Sequence, residues 1–214
     1  MNDDQKRAIK TANEARIIKL GLGVNDWLPI LDTPALRPLN EIKARMSVMN
    51  ALINIAFDAP TALIKQWLEK HQLISHLSAS EVQIINTENA ALTEDALIEL
   101  NWYLESLWAL MWATNMIDSL NVVQHVGDNQ ASLLPNLEKN ESNQKIDKIN
   151  SIQSETSLYA MLDYYYRLHW FCVNDRLNQG KQQKVNEGLI VERRKALEWI
   201  FNRSGDWDDV AMNT

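Results

Sequence analysis

Glu105 stands where an ionised side chain is costly. The stretch from Glu99 to Asp118 reads as one helix with three tryptophans and an unbroken apolar run from Leu107 to Ala113. On a wheel turning about 100° per residue, Ile98, Trp102, Trp108, Trp112 and Met116 fall within roughly 60° of Glu105. A helix apolar nearly all round is a buried one, so this carboxylate lies in a tryptophan face. Arg193 repeats the situation on a C-terminal helix, at the centre of a side made of Leu189, Ile190, Ala196, Leu197 and Ile200. Burying one ion alone costs several kcal/mol even after relaxation. The economical expectation is that Glu105 meets Arg193, whose planar fork can grip a carboxylate through two hydrogen bonds. Asp163 and Arg167, four residues apart, pair along their own helix, and Glu192 is expected to join the same buried charge network. Two chemistries are open to this constellation. Glu105 or Asp163 could act as a general acid or base in a hydrolase or transferase, or the charges could fix helix register and do no chemistry. With no nucleophile or metal set beside them, the structural role is preferred.

The remaining candidates carry less. His71, His76, His125 and His169 lack the i,i+4 or His–Glu spacing of a zinc site, and Cys172 has no second cysteine, so no metal is expected. His169 lies near the apolar stripe of its helix and reads as a hydrogen-bonded core histidine. Cys172, between Phe171 and Val173, suits a buried inert thiol. Asp206, Asp208 and Asp209 do not follow a calcium-loop pattern and read as a solvated tail. Gly21-Leu22-Gly23 lacks the third glycine of a dinucleotide fingerprint, and neither a Walker sequence nor a Gly-x-Ser-x-Gly elbow occurs. No cofactor is expected.

The elements that must position these groups are helical. Six glycines and five prolines in 214 residues leave few tight turns and favour long helices. A first helix is predicted from Asp3 to about Leu20, capped by Asn2 or Asp3 and stopped at Gly21. A proline-marked connection through Pro29, Pro34 and Pro38 follows, with Trp27 and Leu28 as its expected anchors. Further helices are predicted over Asn40–Phe57, after Pro60, and after the capping box Ser78-Ala79-Ser80-Glu81. Thr93 caps the tryptophan helix, with Glu94 and Asp95 where its dipole is positive. Positions 127–155 read as a long, polar, exposed connection with one short helix near Ser132–Lys139. The last third gives helices over Thr156–Asn178 and Lys184–Asn202, and a tail whose Trp207 can fold back. The expected architecture is all-α: a single compact domain, residues 1–214, of about seven helices around a buried central Trp-rich helix.

Net charge is −7, and its distribution says more than its total. From His71 to Glu138 there is no lysine or arginine, so that segment carries −9 and the rest of the chain +2. Nucleic acid needs clustered basic residues, so it is not an expected partner. A concentrated negative field attracts a basic protein instead. The longest apolar run falls far short of the ~20 residues of a membrane span. A lone cysteine and no N-terminal apolar run after the charged start fit a cytoplasmic protein without a signal peptide.

Glu192-Arg193-Arg194-Lys195-Ala196-Leu197-Glu198-Trp199, followed by Trp207-Asp208-Asp209-Val210 and a final Thr214, is similar to the closing signature of a bacterial family catalogued as domain of unknown function 4272. Leu162-Asp163 with Tyr166-Arg167 and Trp170, and Trp102 with Glu105 and Leu107-Trp108-Ala109-Leu110, resemble it too. Arg194 and Glu198 depart from its pattern, which would place histidine and asparagine there, and Asn213 stands before Thr214 where an aspartate is usual. The resemblance implies an all-helical fold and names no activity. The leading expectation is a non-catalytic protein-binding module, in its most concrete form a bacterial immunity protein that neutralises a basic toxin through Glu88, Glu94, Asp95 and Glu99. The alternatives are the hydrolase or transferase above and a homo-oligomer whose exposed Tyr164, Trp170 and Phe171 form a self-interface.

Overall fold

The computed structural model describes residues 1–33, 35–178, 184–203 and 205–214; Pro34, one of the connection's prolines, lies outside them. Nine α-helices occur among the described residues: α1 (Asp3–Lys19), α2 (Leu39–Ala56), α3 (Thr61–Lys70), α4 (Ala79–Ile85), α5 (Glu94–Ala113), α6 (Gln130–Leu133), α7 (Gln144–Asp147), α8 (Glu155–Leu177) and α9 (Glu187–Phe201). Two of the nine, α6 and α7, are single turns, and no named strand occurs among these residues.

The helices begin where side chains can satisfy the first free N–H groups. Asn2 and Gln5 form a capping box on α1, Ser78 and Glu81 form one on α4, and Thr93, Ser154 and Asn186 cap α5, α8 and α9. Pro38 and Pro60 precede α2 and α3, where a missing N–H costs nothing. After α1, Gly21 takes φ +72°, a left-handed turn that closes the helix onto Leu22.

In space the longer helices form a row in the order α3, α2, α5, α9, α8, α1, each packed on the next. The two inner faces of α5 explain its composition: α2 covers one side and α9 another, and Leu107 through Ala113 are all buried. The arrangement is a helix-on-helix domain with one apolar core.

Three expectations need correction. Leu28 is buried, but Trp27 is 90 % exposed, so only one of the pair anchors its loop. Tyr164 is buried and Trp170 and Phe171 are half-buried, because α8 lies between α9 and α1; these rings are not a free surface. The 127–155 connection is exposed at many positions, yet Leu134 and Ile146 are buried in the core, and it holds two short helices rather than one. Asn143 accepts a hydrogen bond from Ser47 on α2 (3.0 Å), and Lys43 reaches the carbonyls of Asp147 and Ile149, which ties this polar segment down.

Candidate functional site

The middle of α5 and the middle of α9 face each other through Glu105 and Arg193. Arg193 donates from Nε (2.9 Å) and approaches from Nη2 (2.7 Å), both to Glu105 Oε2. Its Nη1 donates to the Asn121 carbonyl (2.5 Å) and the Tyr165 hydroxyl (3.2 Å), and Nη2 also donates to the Gln124 carbonyl (2.9 Å). A guanidinium has five N–H groups, and five contacts receive them. The other oxygen of Glu105 accepts the Val126 N–H (3.2 Å) and lies 2.7 Å from His125 Nδ1. Both charges are buried, but each is fully engaged, which is the condition under which burial is tolerated. The pair therefore clamps α5 to α9 and pins the 121–126 loop across them. Burial pushes the neighbouring Tyr165 phenol up to about 12, with Arg193 opposing the shift. Trp108 and Trp112 are buried nearby on α5; Trp102 is half-buried and lies against Gly188 of α9 so closely that a Cβ there would come within 2.5 Å of its ring.

The expected single network is three separate arrangements. Asp163 and Arg167 make a two-pronged pair on α8 (2.9 and 2.7 Å), as i,i+4 spacing allows. Their remaining bonds run the other way: Asn13 donates to Asp163, and Arg167 donates to Glu14 and to the Pro29 carbonyl. This pair fastens α1 and its following loop to α8 and shares no hydrogen bond with Glu105 or Arg193. Glu192 stands apart as well, because it projects from a different side of α9 and accepts from Ser106 Oγ (2.9 Å). Burial raises its carboxyl, partly opposed by that hydrogen bond.

Three further buried arginines, Arg37, Arg45 and Arg194, escaped the sequence reading as buried charges, and Arg37 donates to the Trp199 carbonyl (2.7 Å). Arg45 on α2 grips Glu81 with both terminal nitrogens, while Glu81 also accepts from Tyr103 and from the Ser78 N–H that completes its capping box. Burial, with the Glu81 carboxylate beside it, holds the Tyr103 phenol well above its ordinary value. The available signal was Arg45 itself, set between the apolar positions Ile42 and Met49. Arg194 donates to His169 Nδ1 (2.7 Å), to Glu198 and to the Asn213 carbonyl. Burial and then the Arg194 charge push His169 down to about 4, so its ring is neutral. Arg194 and Glu198, two of the departures from the family pattern, are each other's partners. Cys172 is buried, and its thiol is pushed up to about 12 by burial and then by Glu187 and Asp175.

The tail is more ordered than a solvated one. Trp207 is buried edge-on against Tyr103 and Trp199, under the cations of Arg45 and Lys195. Asp208 accepts from the N–H and the hydroxyl of Ser80 at the start of α4.

On the opposite side of the charge ledger, Glu88, Glu94, Asp95 and Glu99 are all exposed. Glu94 and Asp95 occupy the first turn of α5, Glu99 the second, and Glu88 opens the single 3-10 turn before it. Among the described residues none of the four carboxylates takes part in an ion pair. Exposed Ile98 lies among them. Among the described residues no group of three or more metal-ligating side chains converges, and no described helix is long and apolar enough to cross a membrane.

Three cavities are lined by other side chains, although the second borders the 118–123 stretch and Trp112. One, of about 750 Å³, is a groove between the end of α2, α3 and residues 137–140. One of 380 Å³ lies by Arg16 and Tyr164, and one of 270 Å³ by Asn50 and Leu134. Glu105, Asp163 and His125 line none of these three.

Residues 9–210 match the family described as domain of unknown function (DUF4272), and the chain belongs to it. No curated protein and no solved structure matches the chain.

Proposed function

We propose that this member of the DUF4272 family is a non-catalytic protein-binding module, most concretely a bacterial cytoplasmic immunity protein that neutralises a basic toxin through the acidic face of α5. One observation carries the reading: Glu88, Glu94, Asp95 and Glu99 are exposed, unpaired with any described cation, and mounted on the first turns of a rigid helix with exposed Ile98 among them. A charged rim around an apolar contact on a fixed element is how specific protein surfaces are built. The buried charges support the same reading, since Arg193 spends its donors on holding backbone and Glu105 in place.

The test is charge reversal. Glu94→Lys, Asp95→Lys and Glu99→Lys together should cut the association rate with a captured basic partner by about tenfold or more at low salt, and flatten its dependence on ionic strength. A partner bound equally fast by the triple variant, or no partner captured by the wild type, defeats the proposal. The hydrolase or transferase alternative has one contact in its favour: His125 is exposed, and its Nδ1 lies 2.7 Å from Glu105 Oε1. Turnover of a substrate abolished by His125→Ala would favour that reading.

A further inference from the structure

At the end of α5 away from the acidic face lies the 380 Å³ cavity, between the last turn of α1, the first half of α8 and residues 118–123. Trp112, Leu20 and Met161 give it an apolar wall. Three of the polar side chains that line it, Arg16, Asp118 and Tyr164, have no hydrogen-bond partner among the described residues. Arg16 lays its guanidinium over the Tyr164 ring, 4.0 Å from the centroid, a contact that positions the cation without neutralising it. Arg16 and Asp118 are the only charged groups lining the cavity among the described residues. Neither forms an ion pair there, with the other or with a third group.

Tyr164 is the most telling of the three. The residue is 1 % exposed, and buried polar groups are almost always hydrogen-bonded. Its phenol oxygen is not sealed off from solvent, so a partner reaches it through the cavity. Burial raises the phenol, with Arg16 opposing, and the group stays a neutral donor. The wall around it is set in advance. Arg193 holds the Asn121 carbonyl (2.5 Å), the Asn121 side chain accepts the Val123 N–H (3.0 Å), and Leu120 and Val122 are buried. Little is left to order when a ligand arrives.

One cation and one carboxylate on the same wall disfavour a multiply charged anion and a bare cation alike, and suit a molecule that carries one charge of each sign. The volume falls at the small end of the range for ligand sites, about 300–1,000 Å³. We propose that this cavity binds a free α-amino acid with an apolar side chain of the size of leucine. Its carboxylate accepts from Arg16 and the Tyr164 hydroxyl, its ammonium donates to Asp118, and its side chain lies against Trp112, Leu20 and Met161. The site is separate from the acidic face of α5, so either can fail without the other.

Titrating L-leucine into the full chain while following the Met161 methyl resonance tests it. The signal should shift and saturate with a Kd of roughly 1 mM or tighter. N-acetyl-L-leucine keeps the carboxylate and lacks the ammonium, and L-leucinamide does the reverse; each should bind about tenfold more weakly or worse. Arg16→Gln and Tyr164→Phe should each weaken L-leucine by about tenfold. Arg16 is exposed and phenylalanine keeps the packing of Tyr164, and circular dichroism checks that both variants fold. Asp118→Asn should weaken L-leucine but leave N-acetyl-L-leucine as in the wild type, so that the preference for a free ammonium disappears. No shift at about 20 mM L-leucine, an Arg16→Gln protein that binds like wild type, or N-acetyl-L-leucine bound as well as L-leucine overturns the proposal. Binding of L-leucine that leaves the Met161 signal unmoved overturns it too, since the ligand then sits elsewhere.

Discussion

Removing Arg193 should expose how much of the stability depends on completing a buried pair. Truncation to alanine leaves Glu105 buried with only the Val126 N–H and the His125 ring, and strips the Asn121 and Gln124 carbonyls of their donor. Breaking such a pair costs about 3–5 kcal/mol. Arg193 is fully buried, so alanine also opens a cavity, and core truncations to alanine add about 2 kcal/mol or more. Methionine fills most of that space and incurs only the first cost. In a domain of this size 1 kcal/mol moves Tm by about 2–4 °C. Arg193→Met should therefore melt about 6–20 °C below wild type, and Arg193→Ala a further 4–8 °C lower. Adding Glu105→Met to Arg193→Met removes the orphaned carboxylate as well; the double variant should recover at least half of the loss, because an apolar pair often replaces a buried ionic one at little cost. Differential scanning calorimetry on the four proteins decides the matter. A methionine variant less stable than the alanine one, or a double variant no better than Arg193→Met, would refute the account of a carboxylate and a guanidinium that need each other.

Two further outcomes follow from buried contacts. His169 is held at about 4, below its ordinary 6.5, by burial and then Arg194; the unfolded chain therefore binds the extra proton first, and this stabilisation, complete above about 6.5, is lost as pH falls toward 4. Melting curves between pH 7 and 4 should fall less steeply for His169→Gln than for wild type, and equal slopes would refute the assignment. Gly188→Ala would drive a methyl into the Trp102 ring, 2.5 Å from its Cβ position; overpacking of this kind costs about 1–3 kcal/mol, and a variant as stable as wild type with unchanged tryptophan emission would show that the ring moves freely.

What the sequence made legible was what is locally determined. Asn2, Ser78 and Thr93 are caps whose partners lie three residues away, so short-range pattern finds them. Glu105 and Arg193 were visible because each interrupts an apolar stripe, and a buried ion demands a counter-ion whatever the fold. Glu81 was hidden by its own explanation: read as half of a capping box, it gave no sign of the second duty it performs for Arg45. Glu192 and the Asp163–Arg167 pair were assigned to the wrong company because a wheel gives the direction of a side chain, not the neighbour lying that way. The 127–155 segment misled through composition, since two buried apolar residues, Leu134 and Ile146, are outvoted by their polar surroundings. Trp27 misled through the opposite prejudice, that an indole belongs inside.

The Glu105–Arg193 clasp also sets an order of events during synthesis. Residue 193 leaves the ribosome long after residue 105, and α9 supplies both the arginine that Glu105 lacks and the backbone carbonyls, at Trp199 and Asn202, that Arg37 holds. Until that last helix emerges, the tryptophan helix has an uncompensated carboxylate and an uncovered flank. The nascent polypeptide must therefore remain unfinished, and open to chaperones, until α9 has emerged.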